Sequence, residues 1–197
     1  IQSTKLTFQT EEGINIEVLQ GDLFKQKVDA IVNPANTGLN GGGGVDALMG
    51  QACGNSIYAE CQKQLKEKNV TCKTGDAFIT GSGNLKDKTP IKHVIHTVGP
   101  QGGTKDRKTL LRDAYYNSLL RAHETKLTSI AFPAISIGIF GYPAEEASEV
   151  AIGAIKEFSK NNPGTSLTTI RLTYWGDAPG IKAYKHIDKT GLEKIVS

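Results

Sequence analysis

The chain has 197 residues, of which 38% are hydrophobic and 22% charged, so it is long enough to bury the core of one domain. Its net charge of +3 is too small to indicate nucleic-acid binding, which depends on a dense face of Lys and Arg. No apolar run approaches the ~20 residues that cross a bilayer, which argues against a membrane protein. We expect a single domain over residues 1–197, and its start at Ile1 rather than Met is typical of a segment cut from a longer protein.

The three cysteines, Cys53, Cys61 and Cys72, are odd in number and form no C-x-x-C pair. This pattern favours free, mostly buried thiols in a reducing compartment over disulfides or a metal site. The chain also lacks a signal-like segment at its start. We therefore expect a cytoplasmic or nuclear protein that holds no metal.

Hydrophobic periodicity predicts alternating strands and helices along the chain. Strands are predicted at residues 5–8, 14–19, 30–32, 76–80, 93–98, 129–133 and 167–174. Helices are predicted at residues 45–69, with a break near residues 54–56, and at residues 109–125 and 143–159. The first two strands are typical of a hairpin, and the end of the chain is predicted to be loop plus a short helix.

This alternation predicts an α/β fold, in which helices cover both faces of a mostly parallel sheet and the first hairpin adds antiparallel pairing. In such sheets, ligands bind at the carboxyl ends of the strands. Two unusual loops, residues 33–46 and residues 134–141, leave the predicted strands at those ends. The sequence therefore predicts that a ligand site lies there.

The first of these loops contains four consecutive glycines, residues 41–44, directly before the helix predicted to begin at Val45. Glycine loses more backbone entropy on ordering than any other residue, so such a run is favoured where backbone N–H groups must closely approach a partner. At a helix N-terminus that partner is typically an anion such as a phosphate. Tight turns that need glycine for their own φ values are the alternative, and they account for one or two glycines but not for four.

The second loop opens the helix predicted to begin near Pro143 in a similar way. Two such loops at one edge of the sheet could hold both phosphates of a diphosphate from opposite sides. The familiar nucleotide-binding motifs are absent, because no Gly-Lys-Ser/Thr follows either loop. In addition, Asp46 stands where the G-x-G-x-x-G/A pattern needs a small residue.

Four polar side chains near these loops are candidates for ligand contacts or catalysis. Asp22 either accepts a hydrogen bond from an exocyclic amine such as that of adenine, or caps an ordinary turn. Of Asn33 and Asn36, one is expected to bond the loop backbone and the other to hold sugar hydroxyls. Asp46 is explained by helix capping alone, yet beside a phosphate site it could also orient or deprotonate a water molecule.

Three aromatic residues lie near the same strand ends. Phe140, within the second loop, is either a hydrophobic plug or a wall against a ribose. Tyr174 and Trp175 stand at the end of the last predicted strand, where each could stack on a base or belong to the core. Trp175 is taken as the candidate ligand contact, and the choice between the two aromatics stays open at this point.

Five stretches of this sequence together resemble the macro domain, and most closely its MacroD-type branch, which includes bacterial O-acetyl-ADP-ribose deacetylases. They lie at residues 21–23, 28–36, 41–46, 94–100 and 132–143, in the family's order and over nearly the whole chain. The resemblance implies a three-layer α/β/α fold with a mixed, mostly parallel central sheet. It also implies that the ligand is ADP-ribose and that no cofactor is needed.

The resemblance assigns ligand contacts by motif position. Asp22 would bind the adenine amine, Leu23 would lend a backbone N–H nearby, and Asn36 would hold the distal ribose. The diphosphate and the distal ribose would lie between two sets of residues, which are Gly43, Gly44 and Val45 on one side and Ser136, Ile137, Gly138, Ile139 and Phe140 on the other.

The resemblance further implies a reaction in which Asp46 and Asn36 are the catalytic residues. A water held by Asp46 and by the ligand's own phosphate would release mono-ADP-ribose from acidic side chains of proteins, or would deacetylate O-acetyl-ADP-ribose. The expected partners are ADP-ribose or O-acetyl-ADP-ribose, together with ADP-ribosylated proteins. We expect a monomer that binds neither membranes nor nucleic acid.

Three positions depart from the MacroD pattern. Gly50 stands where a histidine that assists the acid usually follows the aspartate by one helical turn, Pro34 replaces the commoner alanine, and Ile137 replaces a small or hydroxyl residue. The glycine keeps a second hypothesis open, that of a non-catalytic reader which binds ADP-ribose on proteins. A third hypothesis, an RNA or poly-ADP-ribose binder, receives little support from the scattered lysines.

Overall fold

The fold is built on one sheet of eight strands, as described by a computed structural model for residues 5–137, 140–175, 183–184 and 192–195. The strands are β1 Lys5–Thr10, β2 Asn15–Gln20, β3 Ala30–Pro34, β4 Ala77–Gly81, β5 His93–Thr97, β6 Ser129–Phe132, β7 Thr169–Tyr174 and β8 Leu192–Ile195. The helices within the described residues are α1 Val45–Cys53, α2 Ser56–Lys68, α3 Arg107–Glu124 and α4 Ala144–Asn161. Short 3-10 turns are formed by Leu23–Lys25 and Gly83–Asp87.

The strands follow the order β4-β5-β3-β6-β7-β2-β1-β8 across the sheet. The central pairs β5-β3, β3-β6, β6-β7 and β7-β2 are parallel, while the three outer pairs are antiparallel. The predicted hairpin of β1 and β2 is one of those antiparallel pairs. A mixed, mostly parallel sheet is therefore confirmed.

Helices cover both faces of this sheet, because successive residues of a strand point to opposite faces. In β3, Ala30 and Val32 pack in one hydrophobic cluster with residues of α3 and α4. Ile31, between them, packs in a second cluster with residues of α1 and α2. All three side chains are fully buried, as a central strand covered on both sides requires. The three-layer α/β/α arrangement is thus confirmed.

The predicted elements form within two residues of their expected bounds, with one exception. The break in the first predicted helix is present, since Gly54 adopts a φ of 87° between α1 and α2. The prediction of loop and a short helix at the end of the chain is wrong for β8, which pairs antiparallel with β1. Four residues at the edge of a sheet carry too little periodicity to be recognised, and pairing with β1 decides their conformation.

Cys53, Cys61 and Cys72 are buried and free, as predicted. Burial raises the pKa of the Cys53 thiol to about 11 and the pKa of the Cys61 and Cys72 thiols to about 12. All three are therefore protonated at neutral pH and serve as small core residues. Within the described ranges, no three His, Cys, Asp or Glu side chains are grouped closely enough to hold a metal ion, and no helix has the length and apolar character of a membrane span.

Candidate binding and catalytic site

Both unusual loops begin side by side at the carboxyl edge of the sheet. They follow β3 and β6, which are neighbouring parallel strands. The next two strands toward β1 are β7 and β2, also parallel, and they end at the same edge. There the Gly21 N–H donates to the Tyr174 carbonyl over 2.9 Å, which fixes Asp22 and Trp175 as neighbours across the strand ends. The topology thus brings four separate sequence motifs to one edge.

Asp46 lies in the first turn of α1, and only 3% of its surface is exposed. Its Oδ1 accepts hydrogen bonds of 2.8 Å from Asn33 Nδ2 and of 2.8 Å from the Tyr58 hydroxyl. A buried carboxylate needs such partners, and the positive end of the helix dipole adds to their effect. The carboxylate is held in one orientation by groups from β3 and α2.

A chain of buried polar groups continues from Asn33 into the sheet. Asn33 Nδ2 lies 3.1 Å from His96 Nδ1, and His96 Nε2 lies 3.0 Å from Thr80 Oγ1. Burial lowers the pKa of His96 to about 3, so the imidazole is neutral. Its Nδ1 then accepts from Asn33, and its Nε2–H donates to Thr80. Neutral His96 therefore fixes the Asn33 amide that holds Asp46.

Asn36 and Asp46 converge on Gly42 of the glycine run. A Cβ at Gly42 would lie 3.3 Å from Asp46 Oδ2 and 3.5 Å from Asn36 Nδ2. The Asn36 amide itself donates to the Gly41 carbonyl over 3.0 Å, and its side chain is exposed. Asn33 is fully buried, so it is the structural asparagine of the two and Asn36 is the one that a ligand can reach.

Protein packing explains only part of the glycine run. Gly41 and Gly44 have φ values of 90° and 60°, a region that favours glycine, and a Cβ at Gly42 would crowd Asp46 Oδ2. At Gly43, however, a Cβ would meet no protein atom within 4 Å and φ is not in that region. Neither backbone conformation nor neighbouring protein atoms account for glycine at position 43.

The second loop turns at Ser136, which has a φ of 67°. Its Oγ is buried and has no hydrogen-bond partner among the described residues. The Ser136 carbonyl accepts from the Tyr142 N–H over 2.9 Å, which closes the loop, and Ile137 and Phe140 are half-buried within it. Gly138 and Ile139 lie outside the described residues.

Residues 98–104 form a neighbouring segment that packs against the second loop. The Gly102 N–H donates to the Phe140 carbonyl over 2.6 Å. A Cβ at Gly99 would overlap Ser136 Oγ and would lie 2.5 Å from Ile135 Cγ2. The side chains of Ser136 and Ile135 therefore pack directly against Gly99, and glycine at position 99 permits this contact.

Asp22 lies farther along the carboxyl edge of the sheet, after β2. It caps the 3-10 turn Leu23–Lys25, since its Oδ1 accepts from the Phe24 N–H over 2.9 Å. The Leu23 side chain is buried. Tyr174 is 4% exposed and its hydroxyl bonds the Tyr184 hydroxyl over 2.6 Å, so it belongs to the core. Trp175 is 47% exposed and is therefore the aromatic that remains available to a ligand.

Sequence reasoning missed two residues of this site, Tyr58 and His96. Tyr58 follows Asp46 by 12 residues and reaches it from a different helix, a contact with no local signature. His96 carried a weak signal, because it is a polar residue inside the apolar run of β5. Tyr58 contacts Asp46 directly, and His96 acts on it through Asn33.

Comparison with known proteins gives a consistent family match. The model of the macro domain family matches residues 32–151. A macro domain-containing protein of Caldanaerobacter subterraneus is 42% identical over 179 residues, which cover 88% of this chain and 98% of that protein. An O-acetyl-ADP-ribose deacetylase of Escherichia coli is 46% identical over 145 residues, which cover 73% and 79%. A Trypanosoma brucei macrodomain solved in complex with ADP-ribose superposes with a TM-score of 0.73 at 31% identity, covering 86% of this chain and 67% of that one.

Proposed function

Because this chain belongs to the macro domain family, we propose that it binds ADP-ribose and hydrolyses the ester that links the distal ribose to an acyl group. The observation that carries the proposal is the convergence of Asp46 Oδ2 and the Asn36 amide on Gly42, at the start of α1. The acyl group is either acetate, as the name of the Escherichia coli relative indicates for that protein, or the acidic side chain of a modified protein.

The order of candidate residues along the sheet edge matches the order of groups in ADP-ribose. Asp22 and Leu23 follow β2, Trp175 follows β7, Ser136 follows β6, and Asp46 lies beyond β3. Neighbouring strands are about 4.8 Å apart, so β2 and β3 are separated by roughly 14 Å along this edge. An extended ligand would place adenine near Asp22 and Trp175, the diphosphate at the two loops, and the distal ribose near Asn36.

The two loops offer the diphosphate complementary donors. Backbone N–H groups of Gly43, Gly44 and Val45 stand at the positive end of the α1 dipole, where phosphate is favoured. Opposite them, backbone N–H groups of the second loop, which turns at Ser136, would donate to the other phosphate. Close approach of a ligand would also account for Gly43. Ile137, Gly138, Ile139 and Phe140 would complete this side of the pocket.

Asp46 acts as a general base in the proposed reaction. Its Oδ2 accepts a proton from a water as that water attacks the ester, while the ligand's own phosphate holds the same water. The C–O bond to the leaving group breaks, and the products are ADP-ribose and a carboxylic acid. One water is consumed, and the proton held by Asp46 returns to the product that leaves as an oxyanion. Asn36 orients the distal ribose.

A release assay tests this proposal directly. The chain is incubated with an acceptor protein carrying mono-ADP-ribose on acidic side chains and, separately, with O-acetyl-ADP-ribose. Chromatography then measures free ADP-ribose. We expect release from at least one substrate, whereas no release from either would contradict hydrolysis.

Gly50 favours a second candidate function, that of a reader which binds ADP-ribosylated proteins without cleaving the bond. The same incubations separate the two functions when calorimetric titration with ADP-ribose is added. Tight binding without release would support the reader. Absence of binding would contradict both functions.

Gly99→Ala is expected to weaken ADP-ribose binding by about tenfold or more, the factor that corresponds to about 1.4 kcal/mol. The added Cβ would overlap Ser136 Oγ and crowd Ile135, so both side chains must move and the start of the second loop is expected to be disturbed. Calorimetric titration measures the change in Kd. Gly103→Ala is the matched control, because a Cβ there meets no atom within 4 Å, and an equal loss of affinity in both variants would contradict the explanation.

A further inference from the structure

We propose that Tyr58 is a positioning residue for Asp46. From α2 it donates the hydrogen bond that orients the carboxylate, in place of a side chain at position 50 of α1. This inference rests on the proposed hydrolysis, because the role of Tyr58 is to orient the base of that reaction. The residue lies in the first turn of α2 and its side chain is half-buried.

The Tyr58 hydroxyl makes a close approach to Asp46 at two atoms. It lies 2.8 Å from Oδ1 and 2.8 Å from the backbone carbonyl of the same residue. Asn33 Nδ2 donates to that same Oδ1 over 2.8 Å. Because both side-chain donors hold one oxygen, the plane of the carboxylate is fixed and Oδ2 is turned toward Gly42 and Asn36. The orientation of the proposed base is therefore set partly by α2.

Gly50 and Tyr58 are complementary in shape. A Cβ at Gly50 would lie 3.3 Å from both Cε2 and Oη of Tyr58, closer than ordinary van der Waals contact. Glycine is unfavourable inside a helix, so its presence in α1 calls for a packing reason. The tyrosine ring supplies that reason, since even a Cβ at position 50 would require the ring and its hydroxyl to give way. The glycine that departs from the MacroD pattern is thus paired with a tyrosine that occupies its space.

The phenol of Tyr58 differs in chemistry from the histidine imidazole that the MacroD pattern usually has at position 50. Burial, together with the hydrogen bond and the negative charge of Asp46, raises the pKa of Tyr58 above its usual range. The hydroxyl stays protonated across the physiological range and donates to Asp46 throughout it. Tyr58 therefore orients the carboxylate without exchanging protons during the reaction.

Tyr58→Phe tests the inference, because it removes the hydroxyl and keeps the ring that packs against Gly50. We expect kcat for ADP-ribose release to fall by about tenfold or more, the range of a hydrogen bond to a charged group, while KM and the Kd for ADP-ribose stay within about twofold. Tyr116→Phe is the matched control: Tyr116 is also half-buried and its hydroxyl accepts a bond from Asn161, but it lies between α3 and α4. That variant is expected to keep the kcat of the unsubstituted chain.

A double-mutant cycle shows whether Tyr58 acts through Asp46. In the Asp46→Ala background, the further change Tyr58→Phe is expected to leave the residual rate unchanged. A Tyr58→Phe variant with full kcat would overturn the inference while the proposed hydrolysis stands. An equal loss in both backgrounds would also overturn it, since Tyr58 would then act elsewhere. No release by the unsubstituted chain would overturn the hydrolysis and this inference together. That outcome is distinguishable from the other two, in which the unsubstituted chain releases ADP-ribose.

Discussion

Asp46→Ala is expected to lower the rate of ADP-ribose release by roughly 10²–10⁴-fold, the usual contribution of a general acid or base. Affinity for ADP-ribose should be retained, because backbone groups of the glycine run and the Ser136 loop are expected to hold the diphosphate. The effect should therefore appear in kcat and not in Kd, which calorimetric titration and single-turnover release measure separately.

The alanine variant also carries a predictable loss of stability. Removal of the carboxylate leaves one N–H of the Asn33 amide without its acceptor, while the Tyr58 hydroxyl can still donate to the backbone carbonyl of residue 46. An unsatisfied buried donor costs about 1–3 kcal/mol, so the thermal midpoint of Asp46→Ala should fall. Asp46→Asn avoids this loss because the amide oxygen still accepts from both donors. We expect the asparagine variant to lose turnover while keeping nearly the full stability.

Asp29→Asn provides a matched control for the asparagine variant. Asp29 precedes the same strand, β3, and lies at its amino end, opposite the proposed site. Its Oδ2 accepts bonds of 2.8 Å from both the N–H and the hydroxyl of Thr128, so it too is a carboxylate with two donors, although it is half-buried where Asp46 is buried. Loss of turnover in Asp46→Asn but not in Asp29→Asn would assign the chemistry to position 46. Full turnover in Asp46→Asn would refute its role as the base.

The sequence was sufficient for elements whose pattern is local. Strand β3 contains a short apolar run, residues 30–32, and this run by itself predicts a strand that is buried on both faces. Strand β8 has no such local pattern, since its four residues form a strand through pairing with β1 alone. The pattern of residues within one short stretch of sequence does not reveal long-range pairing at a sheet edge.

The same distinction applies to the candidate site. Asp46, Asn36 and the glycine run stand close together in the sequence, and their composition alone indicated an anion-binding loop beside an acid. The supports behind Asp46 come from β3, β5 and α2, which meet only when the sheet is assembled. Asn33 was recognised as a polar residue of the motif, but its burial and its bond to His96 depend on β5 lying beside β3.

His96 leads to a prediction about acid stability. Its pKa is lowered by burial to about 3 in the folded chain, whereas an unfolded histidine titrates near 6.5. Between these values the unfolded state binds a proton that the folded state does not, so the free energy of unfolding falls as the pH falls from about 6.5 toward 3. At pH 4 the contribution of this one residue amounts to about 3 kcal/mol of lost stability relative to pH 7. A proton on Nδ1 would also remove the acceptor that Asn33 now uses.

Urea denaturation at pH 7 and pH 4 measures this effect when the unsubstituted chain is compared with His96→Asn. The asparagine does not titrate, and its amide oxygen can accept a bond near the position of Nδ1. Other groups also titrate over this interval, so the informative quantity is the difference between the two chains in their loss of unfolding free energy. We expect the unsubstituted chain to lose about 3 kcal/mol more than the variant, even though the variant starts from lower stability at pH 7 because the bond to Thr80 is weakened. Equal losses in the two chains would contradict the prediction, because His96 would then take up its proton as readily in the folded chain as in the unfolded one.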